Sequence, residues 1–236
     1  MNDPIEATLA AQSLIRQSLD RPFVSLSYAQ GLDGSITSEQ GTPYPISGSE
    51  SLVMTHQLRA AHDTILIGIG TVLADDPQLT VRLVNGKDPA AVILDSELRL
   101  PSDSRLLNAS RPTLIFCAEA IQNSRASRLE ASGASIHPVR KDGSGYLDLR
   151  SILDELWSSG YRSVMVEGGA SVISQFLQAR VVDWLVLTIA PVILNGPRVP
   201  AADPESFWQP VRLDIKGSAA YGNDWVIWGQ PDWEKQ

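Results

Sequence analysis

Between Ser163 and Leu177 the chain reads S-V-M-V-E-G-G-A-S-V-I-S-Q-F-L: an apolar run, the carboxylate of Glu167, the pair Gly168-Gly169, the hydroxyl of Ser171, then an amphipathic segment. A strand that enters a helix through glycines leaves first-turn N–H groups without partners and gathers partial positive charge there, which suits a phosphate or pyrophosphate. Glycine, lacking a Cβ, lets the backbone approach such an anion closely. A tight strand-to-helix turn with nothing bound is the alternative, and the glycine pair alone does not separate the two.

Three further segments carry chemistry-bearing residues. Arg21 to Gly34 reads as a strand ending in Leu32-Asp33-Gly34. Asp33 fits a turn residue bonded to its own backbone, but the end of a strand in an open α/β sheet is also where ligands are held. Leu58 to Arg82 runs from a helix into a buried strand, a second glycine-rich turn at Gly68-Ile69-Gly70, the acidic pair Asp75-Asp76 and then Arg82. Arg59 and Arg82 suit a phosphate monoester, because a guanidinium presents a fork of donors, and Asp75 suits sugar hydroxyls. Each of these charges is individually explained by a solvated surface as well. In Val92 to Ser96 a strand ends in Asp95 and Ser96, as an Asx or cap turn or as another ligand position.

The elements that position these residues follow from the apolar runs. Strand-length runs recur at Phe23–Ala29, Thr64–Ile69, Ala91–Leu94, Thr113–Cys117, Ser135–Val139, Ser163–Val166, Trp184–Ile189 and Val226–Trp228. Helical candidates lie between them at Ser49–Ala61, Ala118–Ser132, Leu149–Ser159 and Ala170–Ala179. Short runs apolar throughout and flanked by Gly and Pro indicate strands buried on both faces, and the alternation implies an α/β sheet, mostly parallel, with helices on both sides. Trp184 to Ile193 and Tyr221 to Trp228 have no convincing helix between them, so the last strands are expected to be antiparallel. A helical extension over residues 1–20, a single domain over 21–236 and a loop-rich stretch from Asn195 to Pro210 complete the expectation.

Composition narrows the function classes. The 236 residues are 43% hydrophobic and 19% charged, with a formal charge of −8 and a pI near 4.9. A broad nucleic-acid surface needs clustered Lys and Arg, which this balance disfavours, while a small anion held by a few arginines is compatible with it. Cys117 is the only cysteine, so neither an intrachain disulfide nor a thiolate cluster can form within one chain. With His56, His62 and His137 and no H-E-x-x-H or paired C-x-x-C, no metal site is expected. No segment approaches the ~18 apolar residues of a membrane span, and the amino terminus lacks a basic-then-apolar signal pattern. The protein therefore reads as cytoplasmic.

Taken together, S-Y-A-Q-G-L-D-G, L-R-A-A-H-D-T-I-L-I-G-I-G-T-V-L-A-D-D-P-Q-L-T-V-R-L, I-L-D-S and V-E-G-G-A-S resemble the pyrimidine reductases of riboflavin biosynthesis. The resemblance runs in order from about Arg21 to Trp228. It implies a dihydrofolate-reductase-like fold and NADPH-dependent conversion of the ribosyl group of a ribosylaminopyrimidine 5′-phosphate into ribityl. It further implies that Arg59, Leu79, Arg82 and Glu167 line the substrate, the arginines holding its phosphate. Thr71, Asp75, Ser96 and the turn Gly169, Ala170, Ser171, Val172, Ile173, Ser174 and Gln175 would hold NADP, with Ala29 beside the nicotinamide. Asp33 is the first candidate for an acid in the hydride step and Glu167 the second. Ser96 with Arg99 is the expected pair for the 2′-phosphate.

Bacterial members are usually fused to a deaminase, and this chain has neither the H-x-E nor the P-C-x-x-C signature of that half. Tyr28-Ala29-Gln30 stands where the fusions commonly carry a lysine, and Pro43 and Pro45 stand in place of a Ser-x-Trp pattern, leaving Ser47 as the substrate candidate on that loop. In these respects the chain is similar to the stand-alone reductases, which act either before or after deamination. The alternatives are a reductase of another small substrate on the same scaffold and an NADP-binding regulatory domain without turnover. Family members pair as homodimers through the sheet edge, with the strand near Trp184–Leu187 as one possible interface.

Overall fold

The computed structural model describes residues 8–234 apart from 10–11, 14, 40, 43, 108–109, 122–123, 195–198 and 202–209. Apolar runs with alternate residues directed to opposite faces produce its centre. In β3 (Thr64–Gly68), Leu66 faces one core while Ile65 and Ile67 face the other. The same split holds in β4 (Ala90–Leu94) for Val92 against Ala91 and Ile93, and in β5 (Thr113–Ala118) for Leu114 and Phe116 against Ile115 and Cys117. A strand buried on both faces needs apolar side chains at every position, which is why these segments read as continuous runs.

Around them the chain lays down β1 (Phe23–Gln30), β2 (Ser35–Thr37), β6 (Ala134–Val139), β7 (Ser163–Val166), β8 (Trp184–Ile189), β9 (Val199–Pro200), β10 (Arg212–Tyr221) and β11 (Asp224–Asp232). Among the described residues nine strands form one sheet in the order β10-β11-β8-β1-β7-β3-β4-β5-β6, and β2 pairs with β9 apart from it. Every ladder from β8 to β6 is parallel, whereas β11 pairs antiparallel with both β8 and β10. The expected mixed, mostly parallel sheet with antiparallel C-terminal strands is therefore found. Beyond the partly described amino-terminal helical residues, the helices among the described residues are α1 (Ser49–Ala60), α2 (Ile69–Asp75), α3 (Ser124–Ala131), α4 (Leu149–Ser158) and α5 (Ala170–Gln178). None is long and apolar enough to cross a membrane.

Several expectations change. The glycine-rich turn expected at Gly68-Ile69-Gly70 is a strand end at Gly68 followed by the short helix α2, which runs on to Asp75. The helix expected over Ala118–Ser132 is described only over Ser124–Ala131, because Ala118 still belongs to β5 and Glu119 donates to the Val139 carbonyl at the end of β6. Strand β10 has no counterpart among the expected elements: it is an edge strand of mixed polar composition, and Gly217 within it lies under the Trp228 ring, where a Cβ would come within 2.6 Å of the indole. Strand β8, named as one interface candidate, lies inside the sheet between β1 and β11 with Trp184 and Val186 in the core. At the amino terminus, Thr8, Leu9, Gln12, Ser13, Ile15 and Arg16 are helical but residues 17–20 are not, so the expected helix ends earlier, and the Arg16 guanidinium donates to the Ala61 carbonyl at 3.0 Å. Residues 1–7 of that helix and most of the Asn195–Pro210 stretch lie outside the described residues.

Candidate active site

Because β1, β3, β4, β7 and β8 run parallel, their carboxyl ends open on one edge of the sheet, the edge where open α/β sheets hold ligands. At the end of β7 the Glu167 N–H donates to the Leu66 carbonyl of β3 at 2.9 Å, which fixes the residue as the chain leaves the sheet. The turn that follows is packed against Val172. A Cβ at Gly168 would stand 2.5 Å from the Val172 Cβ, and one at Gly68 would stand 2.7 Å from its Cγ2. Gly169 caps α5 with extended backbone, no side chain closes that helix start, and the first turn holds no acidic residue. Unclosed N–H groups at a helix start, free of negative charge, form the cradle expected for a pyrophosphate.

This turn forms one wall of a cleft of about 710 Å³. The opposite wall comes from α1 and the loop before it. Leu52, Thr55 and Arg59 of α1, spaced to share one helix face, all line the cleft with Tyr44 and Ser47. Across it, Arg59 Nε donates to Glu167 Oε1 and a terminal nitrogen to Oε2, both at 2.7 Å, and its other terminal nitrogen reaches the Thr80 carbonyl at 3.3 Å. The two side chains are 13% and 17% exposed. Burial opposes the Arg59 charge, but the attraction of Glu167 and its hydrogen bonds outweigh it and hold the guanidinium pKa above its ordinary value. On β1, Tyr28 also lines the cleft, and burial pushes its phenol pKa up.

Of the residues named from sequence, Ala29, Ser47, Arg59, Thr71, Asp75, Glu167, Gly169, Ala170, Ser171 and Val172 line this one cleft. Ile173 and Ser174 do not, since both turn into the core side of α5, and Gln175 donates to the Ser171 hydroxyl at 3.0 Å. Asp33 stands on the turn between β1 and β2, where its Oδ1 accepts the Ser35 N–H at 3.3 Å, and is not part of the lining. Leu79 is buried with a positive φ of 52°, and Arg82 is exposed, its guanidinium donating to the Thr80 hydroxyl at 2.6 Å. Ser96 lies beyond β4, and Arg99, 48% exposed, borders a separate hollow of about 460 Å³ with Arg125 and Arg128.

Sequence reasoning missed the groups that hold the backbone around Leu79 and Arg82. His56 Nδ1 accepts the Arg82 N–H at 2.9 Å and Asp88 Oδ1 accepts the Val81 N–H at 2.6 Å. Burial, then the Arg59 and Arg82 charges, hold the His56 pKa below its ordinary value against the opposing pull of Glu167 and Asp88, which suits an acceptor nitrogen. No spacing in the sequence announces such contacts. The helix that carries Leu52, Thr55 and Arg59 was, by contrast, expected over Ser49–Ala61.

The profile of the RibD C-terminal domain matches residues 22–227. The chain belongs to the RibD C-terminal domain family. A curated member from Methanothermobacter thermautotrophicus, named 2,5-diamino-6-ribosylamino-4(3H)-pyrimidinone 5′-phosphate reductase, is 35% identical over 214 residues, covering 88% of this chain and 97% of that protein. Among solved structures, the riboflavin biosynthesis reductase Rib7 of Saccharomyces cerevisiae aligns with a TM-score of 0.78 and 26% identity over 98% of this chain and 100% of its own. RibD of Acinetobacter baumannii aligns with a TM-score of 0.82 and 25% identity over 96% of this chain but 62% of its own length, so this chain spans less than two thirds of that protein. The RibD C-terminal fold thus accounts for the whole nine-stranded sheet, and the cleft lies at its carboxyl edge.

Proposed function

We propose that this chain is a cytoplasmic, NADPH-dependent reductase of 2,5-diamino-6-ribosylamino-4(3H)-pyrimidinone 5′-phosphate, converting its ribosyl group to ribityl. The observation that carries the reading is the two-walled cleft: an open helix start on one side, α1 on the other, and the Arg59–Glu167 pair bridging them. Its curated relatives of comparable length carry that activity in their names, at 35% identity in Methanothermobacter thermautotrophicus and 34% in Archaeoglobus fulgidus.

The residues fit a nicotinamide dinucleotide. The start of α5 offers backbone donors at Ala170 and Ser171, Gly169 leaves ordinary contact distance to the Thr71 hydroxyl, and Asp75 stands in the same lining for ribose hydroxyls. NADPH, when bound, supplies the hydride. The protein's share is positioning and electrostatics. Arg59 and Arg82 bind the substrate phosphate. Glu167, each oxygen already engaged by Arg59, retains lone pairs for hydrogen bonds from the sugar or the pyrimidine amine. Both of its oxygens face the Arg59 donors, and Glu167 acts in the site as a hydrogen-bond acceptor. Asp33, bonded within its turn, shapes the exit of β1.

We also propose a homodimer joined along β10, one of the two edge strands of the sheet, where Ile215 and, on the adjoining β11, Trp225 are exposed. Mass determination in solution tests it.

The activity test is oxidation of NADPH by purified protein, followed by loss of nicotinamide absorbance, with the diaminopyrimidinone and its deaminated aminouracil counterpart offered separately. Turnover of the diaminopyrimidinone establishes the reading. Turnover of the aminouracil alone places the reduction after deamination, and tight NADPH binding without turnover of either overturns the reductase.

A further inference from the structure

The loop from Gln78 to Arg82 has a buried clamp. Arg111, in the segment before β5, donates from one terminal nitrogen to the carbonyls of Leu79 and Pro89, at 2.8 and 2.9 Å, and from the other to the carbonyl of Gln78 at 2.5 Å. Its Nε is buried without a partner. Leu79 adopts a φ of 52°, a left-handed conformation that a branched side chain rarely takes and that persists only where surrounding contacts over-determine it. Arg111 supplies such contacts on the carbonyl side of Leu79, and Asp88 engages Val81 two residues later.

The clamped loop adjoins Arg59, the arginine that lines the cleft. The Thr80 carbonyl accepts from Arg59, the Thr80 hydroxyl accepts from Arg82, and the Arg82 backbone is tied to His56 of α1. Moving the carbonyls of Gln78 and Leu79 would therefore move Thr80, and with it the relative placement of the two arginines. Three acceptors in different directions match a planar fork of donors, which a lysine cannot reproduce.

We propose that Arg111 is a positioning residue for the phosphate end of the substrate site, setting the loop that presents Thr80 and Arg82 beside Arg59. This rests on the reading that Arg59 and Arg82 hold the substrate phosphate. Arg111 touches neither substrate nor cofactor; it acts through the backbone of Gln78 and Leu79.

The test compares Arg111→Lys, Asp88→Ala and Arg82→Ala with the parent protein. Four quantities are read: KM for the phosphorylated substrate, kcat, NADPH affinity by tryptophan fluorescence, and the preference for phosphorylated over dephosphorylated substrate. Arg111→Lys is expected to raise KM roughly tenfold and to lower the phosphate preference by a similar factor, while kcat and NADPH affinity stay within about twofold. Asp88→Ala, which releases the loop from the other side, is expected to move the same two quantities and serves if Arg111→Lys does not fold. Unchanged KM and preference in these variants, or equal losses in kcat, KM and NADPH affinity, would overturn the positioning role. Arg82→Ala separates the two levels. If it alone shifts KM and preference, the phosphate reading stands and the role of Arg111 falls; if it shifts neither, the phosphate reading itself falls and the proposal with it.

Discussion

The Glu167 carboxylate grips the Arg59 guanidinium edge to edge, two hydrogen bonds of 2.7 Å joining residues 108 positions apart. The pair ties the end of β7 to α1 across the floor of the cleft. Removing one member leaves the other largely buried and uncompensated, which costs more than the pair itself contributes. Glu167→Gln is therefore expected to lower stability by about 1–3 kcal/mol in urea titration, the lower end reflecting residual solvent access. It should lower kcat/KM by at least about a hundredfold if, as proposed, the same carboxylate bonds the substrate. NADPH affinity, proposed to be set by the backbone at the start of α5, should change little. A variant with parental kcat/KM would remove Glu167 from the site.

The two adjacent glycines differ in what they can accept. A Cβ at Gly168 collides with Val172, whereas one at Gly169 meets only the Thr71 hydroxyl at 3.4 Å. Gly168→Ala should destabilise the fold by about 1–3 kcal/mol, and the added change Val172→Ala should recover part of that loss by vacating the contact. Gly169→Ala should fold normally yet weaken NADPH binding, because the new methyl would occupy the helix start proposed to take the pyrophosphate. Calorimetry with NADPH on both variants distinguishes the packing role from the binding role.

What the sequence disclosed follows from separation along the chain. Strands β3, β4, β5 and β7 were legible because burial on both faces writes an unbroken apolar run, and the α5 turn because its glycines and strand are contiguous. Helix α2 was hidden by Gly68 and Gly70, which signal a turn, although the tertiary packing of Val72 holds a helix there. Strand β10 carries Asp214, Lys216 and Ser218 at a half-solvated edge and so writes no apolar run. The contacts of Asp88, Arg111 and His56 pair side chains with backbone groups 7 to 33 residues away, and backbone groups have no sequence signature.

Recognition of the cofactor's 2′-phosphate was assigned to Ser96 and Arg99. Arg99 is half exposed and meets Glu97 only at 3.9 Å, so its guanidinium is available to an anion. Arg99→Ala is expected to lower the ratio of NADPH to NADH efficiency roughly tenfold while leaving NADH efficiency within about twofold. An unchanged ratio would place the discrimination elsewhere.

His62 makes stability depend on pH. Its Nδ1–H donates to the Leu58 carbonyl at 2.7 Å, its Nε2 is buried without a partner, and burial, helped by the Arg16 charge, pushes the pKa from 6.5 down to about 3. Between those values the unfolded chain binds a proton that the folded one refuses, so the folded state loses ground as pH falls below 6.5, by up to about 1.4 kcal/mol per pH unit from this group. Urea titrations at neutral pH and at about pH 5 should show the loss, and His62→Gln, which does not titrate, should reduce it. Identical pH dependence in the two proteins would show that His62 is protonated in the fold.

Asp224 connects the antiparallel edge of the sheet to the helix that carries Arg59. Its buried carboxylate accepts the Gly48 N–H at 2.7 Å and the Ser51 hydroxyl, closing the start of α1, where Gly48 has no side chain to do so. A negative charge at a helix start also opposes the partial positive charge gathered there. Asp224→Ala leaves the Gly48 N–H and the Ser51 hydroxyl without their acceptor, and a loss of about 1–3 kcal/mol is expected in urea titration. Since Leu52, Thr55 and Arg59 lie on the helix so anchored, KM for the phosphorylated substrate should rise as well. NADPH affinity, which depends on α5, should hold. Asp224→Asn keeps an acceptor oxygen without the charge, so it should recover most of KM while remaining less stable than the parent. If both variants matched the parent in stability, the start of α1 would be held by its own backbone and the carboxylate would have no capping role.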